Sequence, residues 1–577
     1  MTSCIEKSYL HLVLIAALTN VLVLPVKSSG QQLKGAVASV AKPSLSPPLT
    51  EIKPKRLEFK GARQQLEVKK LPPLESKGRV EDHSLQTKAD TPAAFEIVKS
   101  IRGLGSSDNK GNLVPPDSTG AAGSTQYVQW VNQTMTVFGK DGSVQFAAAD
   151  GNTLWKGFGG PCEELNDGDP IVLFDRLKDK NNTDGRWILA QFAVLAGPPY
   201  FECVAVSQTA DAKGRYYRYA FQFDLFNDYP KLGVWPDAYY ASFNKFKDLG
   251  TKDKDGNEQY EYKQPRVCAL EREKMIQGLD AHMQCFDTTS RSMLPADLDG
   301  SLAPAAGSPG LFMDYTIGAV RIWQMKVDWK NEKLTTLSAP AEIQVEPFAE
   351  PCVSEGCIPQ PQSTESLDAS GDRLMFRLSY RRFAGASPHE VLLANHTVRV
   401  DSQDKKSTVP WIAAVRWYEL DRSDGKRWEL KQQGTYAPDL LTSSPSSRWA
   451  GSIAMDKYGN ILVGYSKSSK DVFPGIFAAG RSAKDAAPEL QKEVEVHAGQ
   501  GSVLPSGNDP LYRWGDYSTM TLDPDDDCTF WFTSEYQDKS ASYAWQTQIT
   551  SLRFTPTSKD PHEQKGSNND KAKAVKP

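Results

Sequence analysis

Residues 513–536 read RWGDYSTMTLDPDDDCTFWFTSEY, and this stretch shows the structural unit that recurs along the chain. A turn containing Gly and Asp leads into a short apolar run, an acidic turn follows, and a second run is rich in Thr, Phe and Trp. Aromatic and β-branched runs between such turns are typical of β-strands joined as hairpins. One unit of this size cannot bury both faces of its sheet, so it needs neighbours of the same kind.

The same shape, a turn followed by a β-rich run, recurs without repeated letters. The turns begin at Pro115-Pro116-Asp117, Gly168-Asp169-Pro170, Trp235-Pro236-Asp237, Ala296-Asp297, Gly371-Asp372, Trp449-Ala450-Gly451 and Trp514-Gly515-Asp516. Radial stacking of such sheets predicts an all-β fold, a single β-propeller with seven blades. Six blades is the alternative, because residues 293–310 are loop-like. We expect an N-terminal strand to close the ring by pairing with the last β-run, residues 546–554.

The composition fits stacked sheets and argues against one class of partner. The 577 residues are 39% hydrophobic and 10% aromatic, with 13 Trp, and large flat rings pack well between sheets. The formal net charge is −4, and no basic patch is interleaved with aromatic residues. We therefore expect no nucleic-acid partner.

The two ends of the chain differ from its centre. Lys7 precedes an apolar stretch over residues 10–24, which predicts a cleaved signal peptide at residues 1–30. A retained membrane anchor is the alternative, although the stretch is short for a bilayer span. The sequence predicts a disordered leader rich in Lys, Pro and Ser at 31–91, the propeller at 92–555 and a disordered polar tail at 556–577. We expect a secreted or cell-surface monomer without a membrane span after cleavage.

The cysteines agree with export. Seven lie outside the predicted signal peptide, and none forms a CxxC pair or a Cys/His zinc pattern. Disulfides are therefore favoured over a metal. Pairing of nearest neighbours predicts the bonds Cys162–Cys203, Cys268–Cys285 and Cys352–Cys357 and leaves Cys528 over.

Four long phrases resemble a family of large, secreted, mostly bacterial β-propellers with no agreed activity and a sialidase-like or repeat-type shape. They are YVQWVNQTMTVF from residue 127, GNTLWKGFGGPCEELNDGDPIVLFD from 151, NDYPKLGVWPDAYYASFN from 227, and the stretch at 513–536. The resemblance covers about 117–554 and implies the fold and secretion. The first turn in relatives resembles an Asp- and Asn-rich loop suited to a cation. Here residues 117–123 carry one carboxylate, so no clear motif supports calcium and no cofactor is predicted.

A set of arginines and tyrosines forms the first candidate substrate-binding site. Its members are Tyr380, Arg381, Arg382, Tyr436, Arg448 and Arg513. In sialidases three arginines clamp a substrate carboxylate, because the guanidinium fork matches two carboxylate oxygens, and a tyrosine acts as nucleophile. The alternative is structural: each arginine pairs with a carboxylate of a neighbouring blade.

A second candidate set is acidic and aromatic. Asp169, Asp237, Asp297 and Asp516 each lie in a predicted turn, where they would bind a cation, act as acid and base, or cap backbone N–H groups. Trp235 and Trp514 would stack on sugar rings or pack between blades. The acidic run at 523–527 lacks the spacing and glycine of an EF-hand, which favours a solvated turn.

The sequence favours binding over a defined reaction. It contains no HExxH, GxxxxGK[ST], GxGxxG or GxSxG motif, and no catalytic residue is assigned. The first hypothesis is a secreted propeller that binds an extracellular glycan or surface protein through loops at the central axis. The alternative is a carbohydrate-active enzyme, either a sialidase-like glycoside hydrolase or a polysaccharide lyase.

Overall fold

The computed structural model describes residues 31–54, 71–74, 80–109, 113–179, 184–194, 197–252, 258–352, 356–402, 409–423, 426–486, 488–506 and 513–555. The predicted signal peptide and polar tail lie outside these residues. Within them, neither α-helix is long and apolar enough to cross a membrane.

Five strands precede the first blade, and a 3₁₀ turn at Leu49–Glu51 lies among them. They are β1 (Leu33–Lys34), β2 (Val37–Ala41), β3 (Ser44–Leu45), β4 (Leu85–Gln86) and β5 (Phe95–Gly105).

The next three units are four-stranded antiparallel meanders, here called blades 1 to 3. Blade 1 contains β6 (Ser118–Ala122), β7 (Gln126–Val131), β8 (Thr134–Gly139) and β9 (Val144–Asp150). A 3₁₀ turn (Gly151–Trp155) and helix α1 (Pro161–Glu164) lead to blade 2, with β10 (Ile171–Asp175), β11 (Arg186–Ala193), β12 (Tyr200–Ser207) and β13 (Tyr216–Phe223). Blade 3 contains β14 (Phe226–Val234), β15 (Tyr239–Lys252), β16 (Glu258–Leu270), helix α2 (Arg272–Met275) and β17 (Ala281–Asp287).

Four further units, called blades 4 to 7, follow along the chain. Blade 4 contains β18 (Leu294–Asp299), β19 (Gly310–Thr316), β20 (Ala319–Lys326), a 3₁₀ turn (Glu332–Leu334), β21 (Thr336–Leu337) and β22 (Ala341–Gln344). Blade 5 contains β23 (Leu374–Phe383), β24 (His389–Asp401), β25 (Trp411–Ser423) and β26 (Glu429–Tyr436). Blade 6 contains β27 (Ser447–Met455), β28 (Ile461–Ser468), β29 (Gly475–Arg481) and β30 (Val494–His497). Blade 7 contains β31 (Thr519–Leu522), β32 (Thr529–Gln537) and β33 (Trp545–Phe554).

The first strands of the blades form a closed ring. Each of β6, β10, β14, β18, β23 and β27 contacts the first strand of the following blade, and β31 returns to contact β6. The N-terminal strand β5 pairs antiparallel with β33 and supplies the fourth strand of blade 7. The all-β propeller prediction is therefore confirmed. An N-terminal strand pairs with the last strand, as the sequence predicts, and this closure removes an open sheet edge.

Blades 4 and 5 are joined more closely than the others. The first half of β18 pairs with β19 in its own blade, and the second half pairs in parallel with β23 of the next blade. The two meanders consequently share one continuous sheet.

The segment predicted to be a disordered leader contains four short strands among its described residues. β1 extends blade 4, β2 extends blade 3 and β3 extends blade 2, while β4 pairs in parallel with the last strand of blade 5. We call residues 31–52 the N-terminal belt. An edge strand buries few side chains, so it lacks a sustained apolar period, and this explains why its composition resembled disorder.

The three predicted disulfides are confirmed, with Cys528 free and buried. Cys162 at α1 is bonded to Cys203 of β12 in a core that contains buried tryptophans of blades 1 and 2. The Cys268–Cys285 bond joins paired residues of β16 and β17.

Candidate functional site

The turn before the first strand of each blade is called its leading turn, and four of these turns meet at one end of the ring. The leading turns of blades 1, 2, 5 and 7 and the start of β14 in blade 3 place charged and aromatic side chains close to one another. This axial cluster consists of Asp117, Asp169, Tyr229, Lys231, Arg373, Arg513, Asp516 and Tyr517.

The backbone at three of these positions adopts the left-handed conformation. Asp117, Asp169 and Tyr229 have φ angles of 48°, 47° and 53°. Aspartate tolerates this region because its short side chain bonds to nearby backbone, whereas a tyrosine there is uncommon. At Tyr229 the register of β14 against β15 shifts between Asp228 and Lys231, so a bulge turns these side chains. The left-handed backbone at these three residues and the bulge in β14 therefore position the side chains of the axial cluster.

The carboxylates of the axial cluster are crowded. Asp117 Oδ1 accepts the backbone N–H of Asp516 at 2.9 Å, and its Oδ2 accepts from Asn132 at 3.3 Å. Burial, and then the charges of Asp516 and Asp169, raise the pKa of Asp117 well above its ordinary value. Arg513 offsets part of this effect. Burial and the neighbouring like charges therefore favour the neutral form of the Asp117 carboxyl group.

Lys231 is the fully buried cation of the axial cluster. Its ammonium lies 3.6 Å from the ring centroid of Tyr229 and 3.9 Å from that of Tyr517, and it donates to Pro230 O at 2.8 Å. Burial lowers its pKa to about 8, while nearby carboxylates act in the opposite direction. Two aromatic faces supply a favourable quadrupole to a cation that has lost its water. In the described part of the chain, the Tyr229 hydroxyl has no hydrogen-bond partner.

Arg373 completes the buried part of the axial cluster. It forms a two-point ion pair with Asp372 at 2.6 and 3.0 Å and lies over the Tyr229 ring at 4.6 Å. On the other side Arg513 pairs with Asp516 at 2.8 Å.

A rim of acidic side chains lies beside the axial cluster. We call this rim, made of Glu350, Asp368, Asp372 and Asp516, the axial mouth. Asp372 and Asp516 are partly exposed, and a cavity of about 30 Å³ lies beside Asp372 and Arg373. This is space for about one water molecule. This cavity is therefore too small to enclose a ligand larger than a water molecule.

The predicted arginine clamp is not assembled, which is a correction to the sequence interpretation. Arg381 forms a two-point pair with Asp527 at 2.8 and 2.9 Å and donates to Met455 O. Arg448 is held by Glu493 and Asp439, and Arg513 by Asp516. Each guanidinium is thus engaged by different carboxylates. Only Arg513 belongs to the axial cluster. Arg381 and Arg448 form structural ion pairs, but their partners are Asp527 of blade 7 and Glu493 of blade 6 rather than carboxylates of adjacent blades.

The remaining members of the first candidate set lie in structural contacts. The buried Tyr380 hydroxyl bonds to Glu390, and its ring meets Trp235 at 4.6 Å. Tyr436 is buried and donates to Gln491 O at 2.9 Å. Arg382 donates to Ala303 O at 3.4 Å.

The predicted acidic ring is divided by the fold. Asp169 and Asp516 belong to the axial cluster, whereas Asp297 pairs with Arg377 at 2.6 Å and Asp237 accepts from Tyr240. The physical reason is that Trp235 and Asp237 lie between β14 and β15, at the end of the first strand of blade 3 and not before its start. Trp235 and Trp514 are buried, with Trp514 packed 5.7 Å from Trp449, so neither offers a face for stacking on a sugar.

Sequence reasoning missed Tyr229, Lys231 and Arg373. A signal was present, since Asp228-Tyr229-Pro230 combines turn-forming residues at the start of a β-run. The start of blade 3 was predicted at Trp235-Pro236-Asp237, which is the turn after its first strand β14 and not the turn before it. Arg373 follows the predicted turn at Gly371-Asp372 directly, but no local pattern tells which carboxylate it meets.

No metal centre emerges from the described ranges, in which no group of three or more His, Cys, Asp or Glu side chains is arranged to hold an ion. Residues 118–122, within the turn compared with a cation loop, form strand β6. In the acidic run, Asp523 pairs with Lys140, Asp526 caps the N–H groups of Cys528 and Thr529, and Asp527 pairs with Arg381.

No family model and no curated protein matches this chain. Solved structures with some likeness include a Synechocystis apocarotenoid oxygenase mutant (8% identity, 69% of this chain and 73% of that chain, TM-score 0.32). Others are the WD40 domain of SCAP from fission yeast (9%, 83% and 97%, 0.31) and extracellular domains 1–2 of Drosophila Semaphorin 1b (8%, 82% and 88%, 0.23). At this similarity the propeller assignment rests on the strand pairing alone, and membership of the secreted family stays a prediction.

Proposed function

We propose that this protein is an extracellular β-propeller that binds a glycan or protein partner at the axial mouth. One observation carries the proposal. Leading turns of four different blades and the bulge of β14 bring both signs of charge to the same end of the axis, beneath a partly exposed acidic rim. Loops held by a rigid scaffold are the usual place for recognition.

The cellular address is supported by the cysteines. Three disulfide bonds are formed, and such bonds persist in oxidising compartments outside the cytosol. This supports secretion without requiring a particular partner. A monomer without a bound cofactor suffices for the proposed binding, and no step in it requires calcium.

Binding is favoured over the alternative of a carbohydrate-active enzyme. The enzyme hypothesis depends on three arginines that share one substrate carboxylate. Arg381 and Arg448 are instead nearly buried and satisfied by Asp527 and Glu493 within the protein. Freeing them would break the ion pairs of two nearly buried guanidinium groups, at a cost of several kcal/mol.

The test is a screen of the full chain on a glycan array and on an array of peptides from extracellular proteins. We expect at least one class of ligand to bind, and we expect Asp516→Asn to weaken that binding about tenfold or more at a temperature where the variant is fully folded. Its melting temperature should also fall, because Asp516 pairs with the nearly buried Arg513. The matched control is Asp525→Asn. Asp525 lies in the turn between β31 and β32, and its exposed carboxylate pairs with Lys140. Retained binding in Asp516→Asn, or equal loss in both variants, would contradict the proposal.

A further inference from the structure

A short piece of the N-terminal segment lies across the axial mouth. Residues 71–74 read Leu-Pro-Pro-Leu, and Leu71 and Pro73 line the 30 Å³ cavity together with Glu350, Asp368 and Asp372. Leu71 is buried in the core cluster that contains Tyr229 and Tyr517, and Leu74 packs against the neighbouring core. The two prolines between them are exposed. The segment therefore uses its leucines as anchors.

The mouth satisfies every backbone donor of this tetrapeptide. Proline has no N–H, so only Leu71 and Leu74 have one to donate. The N–H of Leu71 donates to Asp372 Oδ2 at 3.2 Å, and the N–H of Leu74 donates to Glu350 Oε2 at 3.1 Å. Hydrogen bonds to ionised acceptors are about twice as strong as neutral ones.

Arginines hold both accepting carboxylates in place. Asp372 forms an ion pair with Arg373 at 2.6 Å. Glu350 Oε1 accepts from Arg291 at 2.5 Å and from the Tyr315 hydroxyl at 3.1 Å, which leaves Oε2 for the peptide. Carboxylates oriented in this way need no reorganisation to receive an N–H group, and this is the arrangement expected of a preformed receptor.

The bound segment has a backbone suited to such a receptor. Leu71 and Pro72 each precede a proline, which disfavours the α region and keeps the chain extended. An extended proline-containing segment loses little conformational entropy on binding, and this is why it is a recurring recognition element.

We propose that the axial mouth recognises an extended proline-containing peptide flanked by leucines, and that residues 71–74 occupy it as an internal competitor. This inference rests on the proposed function and names its partner class. The tethered segment competes at an effective concentration in the millimolar range, so a partner must displace it. Residues 71–74 consequently block the axial mouth until a partner that binds more tightly displaces them.

The experiment uses a labelled peptide with the sequence of residues 69–76, KKLPPLES, titrated into the full-length protein. We expect roughly tenfold or tighter binding to a Leu71→Asp/Leu74→Asp variant than to the wild type, because carboxylates beside Asp372 and Glu350 expel the internal segment. Val37→Asp is the matched control, since Val37 is an exposed residue of the N-terminal belt. A second displaced form, Leu74→Ser alone, covers the case in which the double variant does not fold.

A further substitution in the displaced form locates the peptide. Glu350→Gln should weaken peptide binding about fivefold, because a neutral acceptor replaces an ionised one, while the exposed Glu342→Gln should have no effect. Equal peptide affinity for wild-type and displaced forms, or insensitivity to Glu350→Gln, would overturn the inference. If the peptide fails to bind while Asp516→Asn still weakens an array ligand, this inference is wrong and the proposed function stands. If Asp516→Asn has no effect on that ligand, the proposed function fails as well.

Discussion

Arg377 shows how single side chains hold the ring together. It lies in β23 and is fully buried, and it pairs with Asp297 at 2.6 Å and Asp299 at 2.8 Å in β18. Its third contact is the carbonyl of Met520 in β31, at 2.8 Å. One guanidinium therefore connects blades 4, 5 and 7.

We predict that Arg377→Met lowers the free energy of unfolding by about 3–5 kcal/mol, because it removes the ion-pair partner of two buried carboxylates. Denaturant unfolding followed by tryptophan fluorescence measures this loss. Arg399→Met is the control, since Arg399 pairs with Asp401 at the surface and such pairs contribute about 0–1 kcal/mol. Similar losses in the two variants would show that the three-blade contact is not critical.

Glu493 gives the fold a dependence on pH. Burial opposes its ionisation, but Arg448 and Lys467 more than offset this and lower its pKa to about 2. Its usual value is 4.5, so its contribution to stability is complete above about pH 5 and is lost as the pH falls towards 2.

We predict that Glu493→Gln removes this contribution. The difference in unfolding free energy between wild type and variant should be about 3 kcal/mol larger at pH 6 than at pH 2. Denaturant unfolding across this range provides the measurement, with the exposed Glu495→Gln as control. A difference that stays constant with pH would refute the assignment.

At the scale of elements, the disulfides close loops of very different length. Cys162–Cys203 spans 41 residues and Cys352–Cys357 spans 5. The chain-entropy account makes the longer loop more stabilising, because its closure removes more freedom from the unfolded chain.

We predict that the double variant Cys162→Ala/Cys203→Ala loses about 4 kcal/mol and Cys352→Ala/Cys357→Ala about 2 kcal/mol of unfolding free energy. Equilibrium unfolding under oxidising conditions measures both, and the wild type under reducing conditions gives the combined effect of all three bonds. The reverse order would mean that loop entropy does not determine these contributions.

At the scale of the whole molecule, the N-terminal residues have two separable roles. Strand β5 closes the ring through β33, whereas the N-terminal belt covers the outer edges of blades 2, 3 and 4. Closure joins the last blade to the first part of the chain, while the belt protects exposed edges from pairing with other molecules.

We predict that a chain starting at residue 80 still unfolds cooperatively but melts at a lower temperature and self-associates as concentration rises. A chain starting at residue 106 lacks β5 and should lose the cooperative transition. Thermal denaturation and size-exclusion chromatography over a concentration series distinguish the two. Wild-type melting of the shorter chain would contradict the role of β5.

The sequence by itself determined the class of fold and the local chemistry. Turns at Pro115-Pro116-Asp117 and Trp514-Gly515-Asp516 precede first strands as predicted, the three disulfides join the predicted cysteines, and β33 receives an N-terminal strand. The turns and the cysteine pairs depend on residues that are close in sequence, so a local pattern is sufficient for them. The pairing of β33 with β5 joins distant residues, and it was predictable because a closed ring leaves no open sheet edge.

Only the tertiary structure decided which side chains meet at the axis. Asp516 donates to Asp117 across 399 positions, and Leu71 reaches Asp372 across 301. Such partners are chosen by ring closure and by a bulge at Tyr229, and no short-range pattern records either. The arginine clamp was predicted from residue type alone. Arg381 and Arg448 are instead paired with Asp527 and Glu493, because a buried charge is stable only when an opposite charge lies beside it.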